Sequence, residues 1–345
     1  MQFVLAEREP TNIDWLGGAT SVARRLYLKQ LCAHFGYLSG LEWTLCEENA
    51  APGASTFAQF TPTELQSIAQ WIRSWDPLGH PRSVHVDPND LSLFNAMISS
   101  GTAGWLECVS LQVHGDEGGN ARLYGDLAEL AAMRFQAIGR RVVVHMDEPG
   151  FYLTGVGSEL HPGAWQGTPS AGAEDRRRRV LYDSLFSGAG VLWYFGLWSL
   201  DEGGGDLTTE DFRTRDTMIR YTAIARRLVE EAFDGAALFG PQDDLWTSDQ
   251  GDLHPVYGDA EVLAEEGGSA LVYLPAYGSG ELGPLAPSAG GSSAVFYRAT
   301  WLDPRTGSVV GTPVTFNATA AFRPDPPPVA NAGELDWVLR VEPAL

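Results

Sequence analysis

The sequence predicts an α/β fold, namely an incomplete (β/α)8 barrel of the TIM type followed by a small antiparallel β-sandwich. In the first part, short apolar runs of β-forming residues alternate with amphipathic segments of helical period, the pattern of βα units around a parallel sheet. After about residue 236, short β runs broken by Gly, Pro and Ser follow one another without helices, which is typical of a sandwich. We therefore predict a partial barrel domain over residues 1–235 and an accessory β-sandwich domain over residues 236–345.

Six βα units are predicted in the first part. The strands are residues 3–6, 40–45, 82–86, 108–113, 142–146 and 190–195. The helices are residues 21–35, 62–75, 89–99, 123–138 and 173–186, with a last one from a capping box at Thr208 to about Glu231. Because a closed barrel has eight units, we expect the two missing ones upstream of residue 1. An open doubly wound sheet, or strands from another chain, are the alternatives.

The second part is predicted to contain at least four strands. They are residues 270–274, 294–302, 308–314 and 337–341. Period-two alternation of apolar and polar residues, with no helix between them, favours antiparallel pairing.

The composition limits the partners. The 345 residues carry a formal net charge of −21, which disfavours binding to nucleic acid and to anionic membranes. No apolar run is long enough to span a membrane, and the opening residues do not form a signal peptide, so the localisation stays open.

The three cysteines match no metal spacing and are predicted to be buried thiols. No phosphate-binding loop is present and no cofactor is expected. The oligomeric state is not predicted.

Two glutamates at predicted strand ends are the candidate catalytic pair. Glu48 and Glu148 follow strands that would be the fourth and seventh of a complete barrel, and such residues face each other across its mouth. Retaining glycosidases place two carboxyl groups about 5–5.5 Å apart, one to attack the anomeric carbon and one to act as acid and base. We predict that Glu148 is the nucleophile and Glu48 the acid/base.

Residues around this pair are predicted to contact a carbohydrate substrate. Aromatic side chains at the rim provide flat faces for sugar rings, although core packing is the alternative for each of them. Polar side chains next to the strand ends provide hydrogen bonds to hydroxyl groups. The predicted substrate-binding residues are Trp43, Glu47, Asn49, His85, His114, Asp147, Trp193 and Tyr194.

Two alternatives remain open at this point. His85 and His114 end consecutive strands, and histidines at such positions bind Zn²⁺ in metal-dependent barrel hydrolases. We prefer the reading without a metal, because the metal reading leaves Glu48 and Glu148 unexplained. The other alternative is a non-catalytic, carbohydrate-binding or structural remnant of an enzyme.

Several stretches together resemble one family. They are residues 43–49 (Trp-Thr-Leu-Cys-Glu-Glu-Asn), 78–81 (Leu-Gly-His-Pro), 84–88 (Val-His-Val-Asp-Pro), 147–150 (Asp-Glu-Pro-Gly), 178–181, 188–196 and 206–213. In combination they are similar to the apiosidase-like glycoside hydrolases, which are related to the retaining clan-A (β/α)8 enzymes. The resemblance spans most of residues 1–230.

The resemblance implies polysaccharide degradation by a retaining mechanism, with Glu148 as nucleophile and Glu48 as acid/base. In clan A an asparagine precedes the acid/base, and this sequence has Glu47 there, so Glu47 is the substitute candidate. Relatives carry the two missing βα units, which favours a truncated chain. The tail, at residues 301–307 and 336–338, resembles a small β domain labelled collagen-binding in similar enzymes. We expect it to support the barrel.

Overall fold

The computed structural model describes residues 1–6, 14–53, 59–113, 123–149, 173–193, 216–233, 239–249, 260–265, 268–276, 279–285, 296–327 and 336–344. The chain divides into two compact units. The first comprises Met1–His114 with Leu127–Pro149, and the second comprises Gly115–Asp126 with Gly150–Leu345. The domain boundary predicted at residue 236 stays a prediction.

The first unit alternates strands and helices, and the predicted order of its elements is confirmed. The strands are Gln2–Val4 (β1), Glu42–Thr44 (β2), Arg82–Ser83 (β3), Cys108–Val113 (β4) and Val143–Pro149 (β5). The helices are Val22–Phe35 (α1), Pro62–Trp75 (α2), Ser92–Ser99 (α3) and Leu123–Gln136 (α4), of which residues 127–136 belong to this unit. Strand pairing is parallel from β1 to β3 and between β4 and β5. A parallel bridge between His85 and Ser110 joins the two sets, so the strand order follows the chain.

Helix α2 shows how the sequence sets these boundaries. Thr61 caps the helix by accepting a hydrogen bond from the backbone of Glu64, whose side chain returns one to Thr61, and Pro62 occupies the first turn. Apolar residues spaced three and four apart then form one buried face, consisting of Leu65, Ile68, Ala69 and Ile72.

Side-chain contacts show that this sheet is strongly curved. Gln2 on β1 donates a hydrogen bond of 2.7 Å to Asp147 on β5. Four strand spacings separate β1 from β5, which is about 19 Å in a flat sheet. The side chains can meet only if the sheet curls around them, as the wall of a barrel does. The contacting side chains lie on the concave face, which we call the inner face.

The other face of the sheet packs on the helices. Trp43 is fully buried there, and its indole N–H donates a hydrogen bond of 3.2 Å to Asp76 at the end of α2. The apolar strand residues that alternate with the inner-face residues are also buried: Leu45, Val84, Val109, Leu111, Val144 and Met146. Trp43 therefore belongs to the core between strands and helices.

The second unit contains a six-stranded antiparallel sheet. Its helices are Ala173–Arg176 (α5), a π-helical turn at Arg177–Tyr182, Asp183–Phe186 (α6) and Asp216–Ala232 (α7). Its strands are Ala189–Val191 (β6), Phe239–Pro241 (β7), Trp246–Ser248 (β8), Glu261–Glu265 (β9), Ala270–Leu274 (β10), Gly280–Leu282 (β11), Phe296–Leu302 (β12), Val309–Asn317 (β13) and Trp337–Pro343 (β14). The sheet order is β13-β12-β14-β10-β9-β7, and β8 pairs with β11 in a separate ribbon.

Each face of this sheet has its own apolar core. On one face, Leu271 and Tyr273 pack with residues of the π-helical turn and α7, and the rings of Tyr182 and Tyr273 stack at 4.5 Å. On the other face, Val272 and Trp337 pack with Trp246 and Leu282 of the ribbon. The four strands predicted after residue 236 are confirmed. The second layer of the predicted sandwich consists of the β8–β11 ribbon, because helices cover the opposite face.

A buried ion pair joins the π-helical turn to the sheet. Asp336 is fully buried and accepts hydrogen bonds from Arg177 at 2.6 and 3.0 Å and from the hydroxyl of Tyr273 at 3.2 Å.

Among the described helices, none is long and apolar enough to cross a membrane.

Candidate active site

Three ionisable side chains converge at the carboxyl ends of the strands of the first unit. Glu47 follows β2, His85 follows β3 and Glu148 lies near the end of β5. Their carboxylate and imidazole atoms lie within 4.8 Å of one another, and His85 Nε2 is 3.8 Å from Glu148 Oε2. The carboxyl ends of parallel strands lie at the same end of the sheet, and barrel enzymes carry their catalytic groups at that end.

A bulge in β5 brings two consecutive acidic residues to the inner face. Leu111 of β4 pairs with Met146, and the next residue, Gln112, pairs with Glu148, so Asp147 is the extra residue. Successive residues of a regular strand face opposite sides of the sheet. The bulge suspends this alternation, because it leaves one residue unpaired and bends the strand. As a result, Asp147 contacts Ser110 on the inner face while Glu148 also reaches His85.

His85 is held neutral by its surroundings. Burial lowers the pKa of His85 to about 4, and the neighbouring Gln112 side chain partly opposes this shift. Its Nε2 makes no hydrogen bond with any residue that the structure describes. A buried imidazole nitrogen without a hydrogen bond is uncommon, and at this position it is available to a bound molecule.

Asp147 lies on the inner face, one residue before Glu148 in the chain. Burial raises the pKa of Asp147 to about 6, and contacts with Ser110, His145 and Gln2 oppose that shift. The carboxyl group therefore changes its charge near neutral pH, next to Glu148 in the chain. Its partners on β1 and β4 fix its position on the inner face.

The structure brings four of the predicted site residues together: Glu47, His85, Asp147 and Glu148. Glu148 is buried and Glu47 is half-buried. Glu48 comes next in the chain, in a left-handed backbone conformation with a φ of 46° that non-glycine residues seldom adopt. It occupies the turn that takes the chain from β2 toward Asn49.

Other predicted residues lie elsewhere or outside the described part. Asn49 is fully buried, donating to the carbonyl of Phe60 at 3.0 Å and accepting from its amide at 2.9 Å, so it anchors a loop. Trp43 is buried on the helix side of the sheet. Trp193 belongs to the second unit, where its indole N–H donates to Thr222 at 2.8 Å. His114 and Tyr194 lie outside the described residues.

Sequence reasoning missed several residues of the inner face. Gln112 pairs with Glu148 across the strands, and Ser110 and Gln2 contact Asp147. A signal for two of them was present, because Cys108, Ser110 and Gln112 alternate with the apolar residues of β4. Period-two alternation of this kind marks a strand with two different faces.

No family model and no curated protein matches the sequence. Among solved structures, the chain is similar to a glycoside hydrolase family 5 protein from Bacteroides vulgatus ATCC 8482, with a TM-score of 0.62 and 18% identity over 92% of this chain and 66% of that one. A second structure, described as a glycoside hydrolase, gives a TM-score of 0.61 and 16% identity over 92% of this chain and 68% of that one. The chain thus spans about two thirds of the length of either structure.

At these identities the likeness concerns the fold. The structural neighbours are TIM-barrel glycoside hydrolases. The parallel βα units of the first unit and the antiparallel sheet of the second agree with the predicted partial barrel and β domain.

Proposed function

We propose that the protein is a glycoside hydrolase of the clan-A type, which cleaves a glycosidic bond in a polysaccharide with retention of configuration. The observation that carries this proposal is the approach of Glu47 and Glu148 at the carboxyl ends of the strands, where their carboxylate oxygens lie within 4.8 Å of each other. Carboxyl groups about 5–5.5 Å apart suit a double displacement, whereas inverting enzymes separate them further to admit water.

Glu148 is the proposed nucleophile. The carboxylate attacks the anomeric carbon while the partner carboxylic acid protonates the leaving oxygen, and a glycosyl–enzyme ester forms. The partner, now a carboxylate, then takes a proton from water, which attacks the same carbon and releases Glu148. The bulge in β5 and the pairing of Glu148 with Gln112 fix the nucleophile on a strand.

The partner carboxyl group comes from residue 47 or residue 48. The sequence predicts Glu48 by its alignment with the clan-A motif. The structure supports Glu47, whose carboxylate lies within 4.8 Å of that of Glu148. We therefore propose Glu47 as the acid/base and retain Glu48 as the second candidate, and the two are distinguished by mutation.

A substrate-binding role for His85 is proposed as well, because its imidazole is buried and neutral and its Nε2 could bond a sugar hydroxyl. Trp193, Tyr194 and His114 stay predictions as sugar-binding residues. An apiosidase-like specificity, and a supporting role for the β domain, are proposals that rest on the sequence resemblance.

The test is turnover of a panel of aryl glycosides and plant cell-wall oligosaccharides. We expect Glu148→Gln to reduce kcat by about 10³-fold or more, because it removes the nucleophile and retains the shape of the side chain. The matched control is Glu230→Gln, which changes an exposed glutamate on α7 that pairs with Arg226. Equal turnover by both variants contradicts the proposal. A folded chain with no turnover on any substrate favours the non-catalytic alternative.

A metal-dependent hydrolase is the second candidate. The observation in its favour is that Glu47, His85 and Glu148 place a nitrogen and carboxylate oxygens within 4.8 Å of one another, a donor set found in catalytic zinc sites. Here a bound metal would activate water in place of the nucleophile. Activity that is lost with a chelator while the chain stays folded, and that is restored by Zn²⁺ in wild type and in Cys108→Ser, supports this candidate. Activity unaffected by the chelator supports the retaining mechanism.

A further inference from the structure

A second cluster of metal-binding residue types lies on the inner face, nearer the amino ends of the strands. Glu42 of β2, Cys108 of β4 and His145 of β5 place a carboxylate oxygen, a sulfur and an imidazole nitrogen within 4.8 Å of one another. We propose that Glu42, Cys108 and His145 bind a zinc ion that ties these three strands together inside the curved sheet.

The donor set fits zinc better than other common cations. Thiolate, imidazole and carboxylate are the ligands of zinc sites, at about 2.0–2.3 Å from the ion, whereas Mg²⁺ and Ca²⁺ prefer oxygen alone. Ligand atoms on one tetrahedral ion are about 3.5 Å apart, as those bond lengths require. The cluster has to close by about 1 Å from its limit of 4.8 Å, which side-chain rotation can supply.

The three proposed ligands already contact one another in the absence of a metal. His145 Nε2 lies 3.1 Å from Glu42 Oε2 and is hydrogen-bonded to this carboxylate. Glu42 also hydrogen-bonds with Ser83 and Cys108. The side chains are thus held together, and a zinc ion would replace the protons that they share.

The charges balance when zinc binds. Cys108 is a buried free thiol, which carries its proton when no metal is bound. Zinc binding releases that proton to solvent and forms a zinc–thiolate bond. One thiolate and one carboxylate then neutralise the two charges of the ion. A neutral assembly is favoured at a site where Cys108 is 3% exposed.

This site is separate from the candidate active site. The three ligands precede Glu47, Gln112 and Glu148 on their strands by three to five residues, which corresponds to about 10–16 Å along a strand. The layer between them contains Ser83, Ser110 and Asp147, so the proposed zinc has a structural role and does not depend on the proposed hydrolase activity.

The test is titration of the chelator-treated full chain with Co²⁺, which substitutes for zinc and shows a thiolate-to-metal charge-transfer band in the near ultraviolet. We expect a band that saturates at one equivalent, disappears in Cys108→Ser and weakens in Glu42→Gln and His145→Asn. Cys32→Ser, which removes another buried thiol of the same unit, is the control and keeps the band. His85→Asn, which alters the candidate active site, keeps the band as well.

Thermal unfolding with and without Zn²⁺ gives a second readout. Zinc should raise the Tm of the wild-type chain, and each of the three ligand variants should lose that rise while retaining a folded circular dichroism spectrum. If Cys108→Ser does not fold, the same comparison is made with His145→Asn. A folded wild-type chain that gives no cobalt–thiolate band overturns the proposal. A band that survives in both Cys108→Ser and His145→Asn also overturns it.

Discussion

The two units bury charged groups in opposite ways. In the second unit, Asp336 is surrounded by opposite charge, because Arg177 donates two hydrogen bonds to it and Arg178 and Arg305 lie within 3.4 and 3.7 Å. In the first unit, two carboxyl groups, those of Glu47 and Glu148, approach each other beside a histidine that burial keeps neutral. One arrangement joins a helical turn to a sheet, and the other places two acidic side chains together at the carboxyl ends of the strands.

The comparison shows why burial of an ionisable residue does not by itself indicate a function. A buried charge that has opposite charges around it is stabilised in its place, and removal of one partner costs folding stability. Two carboxyl groups that are held close together disfavour the ionisation of both at once, and such perturbed groups cluster at functional sites. We therefore expect mutations of Glu47 and Glu148 to change activity, and mutations of Asp336 and its partners to change stability.

The largest expected effect separates the two candidates for the acid/base. Glu47→Gln should lower kcat by about 10²–10⁴-fold, the usual contribution of general acid–base catalysis, while Glu48→Gln should have a much smaller effect. The measurement is turnover of aryl glycosides with good and poor leaving groups, since loss of the acid affects the poor ones most. The reverse ranking of the two variants would restore the assignment predicted from the sequence.

For the second unit, Asp336→Asn should destabilise the folded chain by about 3–5 kcal/mol, because the buried Arg177 loses its buried counter-charge and keeps the more exposed Glu174. Denaturant unfolding measures this change. Asp244→Asn, at an exposed position of the same unit, is the control and should change stability little. A small effect of Asp336→Asn would mean that the ion pair does not hold the turn to the sheet.

A pH titration of stability should reveal His85. Its pKa falls from about 6.5 in the unfolded chain to about 4 in the folded one, so the unfolded chain binds more protons between these values. The contribution of His85 to the free energy of unfolding is therefore fully present above pH 6.5. It is lost as the pH falls from 6.5 to 4, which lowers the free energy of unfolding by roughly 3 kcal/mol. Asp147 has a raised pKa and contributes the opposite slope. The measurement is therefore the difference between wild type and His85→Gln, and parallel stability curves would contradict the prediction.

The smallest expected effect concerns Tyr273. Tyr273→Phe removes the hydroxyl that donates to Asp336 at 3.2 Å and leaves both hydrogen bonds from Arg177 in place. We expect a loss of about 1.5–2 kcal/mol in the free energy of unfolding, at the lower end of the range for a hydrogen bond to a charged group. Chemical denaturation measures it. A loss as large as that of Asp336→Asn would show that the hydroxyl, rather than the arginine, keeps the carboxylate in place.

The fold was largely predictable from local patterns. Helix α2 begins at the Pro62 that follows its capping threonine, and β4 and β10 have the predicted bounds, because capping residues and apolar runs are local signals. The short strands at residues 239–241, 246–248 and 280–282 were not predicted. Each is three residues long and owes its conformation to its partner strand, which sequence patterns do not show.

The candidate site was predictable only in part. Residues at strand ends could be identified, but the bulge at Asp147 decides which side chains reach the inner face, and a bulge leaves no mark in the sequence. The positive φ of Glu48 likewise shows that the chain turns one residue beyond the carboxylate that approaches Glu148. The aromatic residue Trp43 is equally suited to a core and to a sugar platform, and burial decided between them.

The most direct test of the central claim is covalent labelling of the wild-type chain with an activated 2-deoxy-2-fluoro glycoside, matched to the best substrate of the panel. Such a compound forms the glycosyl–enzyme ester faster than the ester hydrolyses, and peptide mass spectrometry locates the label. We predict one label per chain on Glu148 and none in Glu148→Gln. A label on another residue, or hydrolysis of the parent substrate with inversion and without a label, would contradict the account.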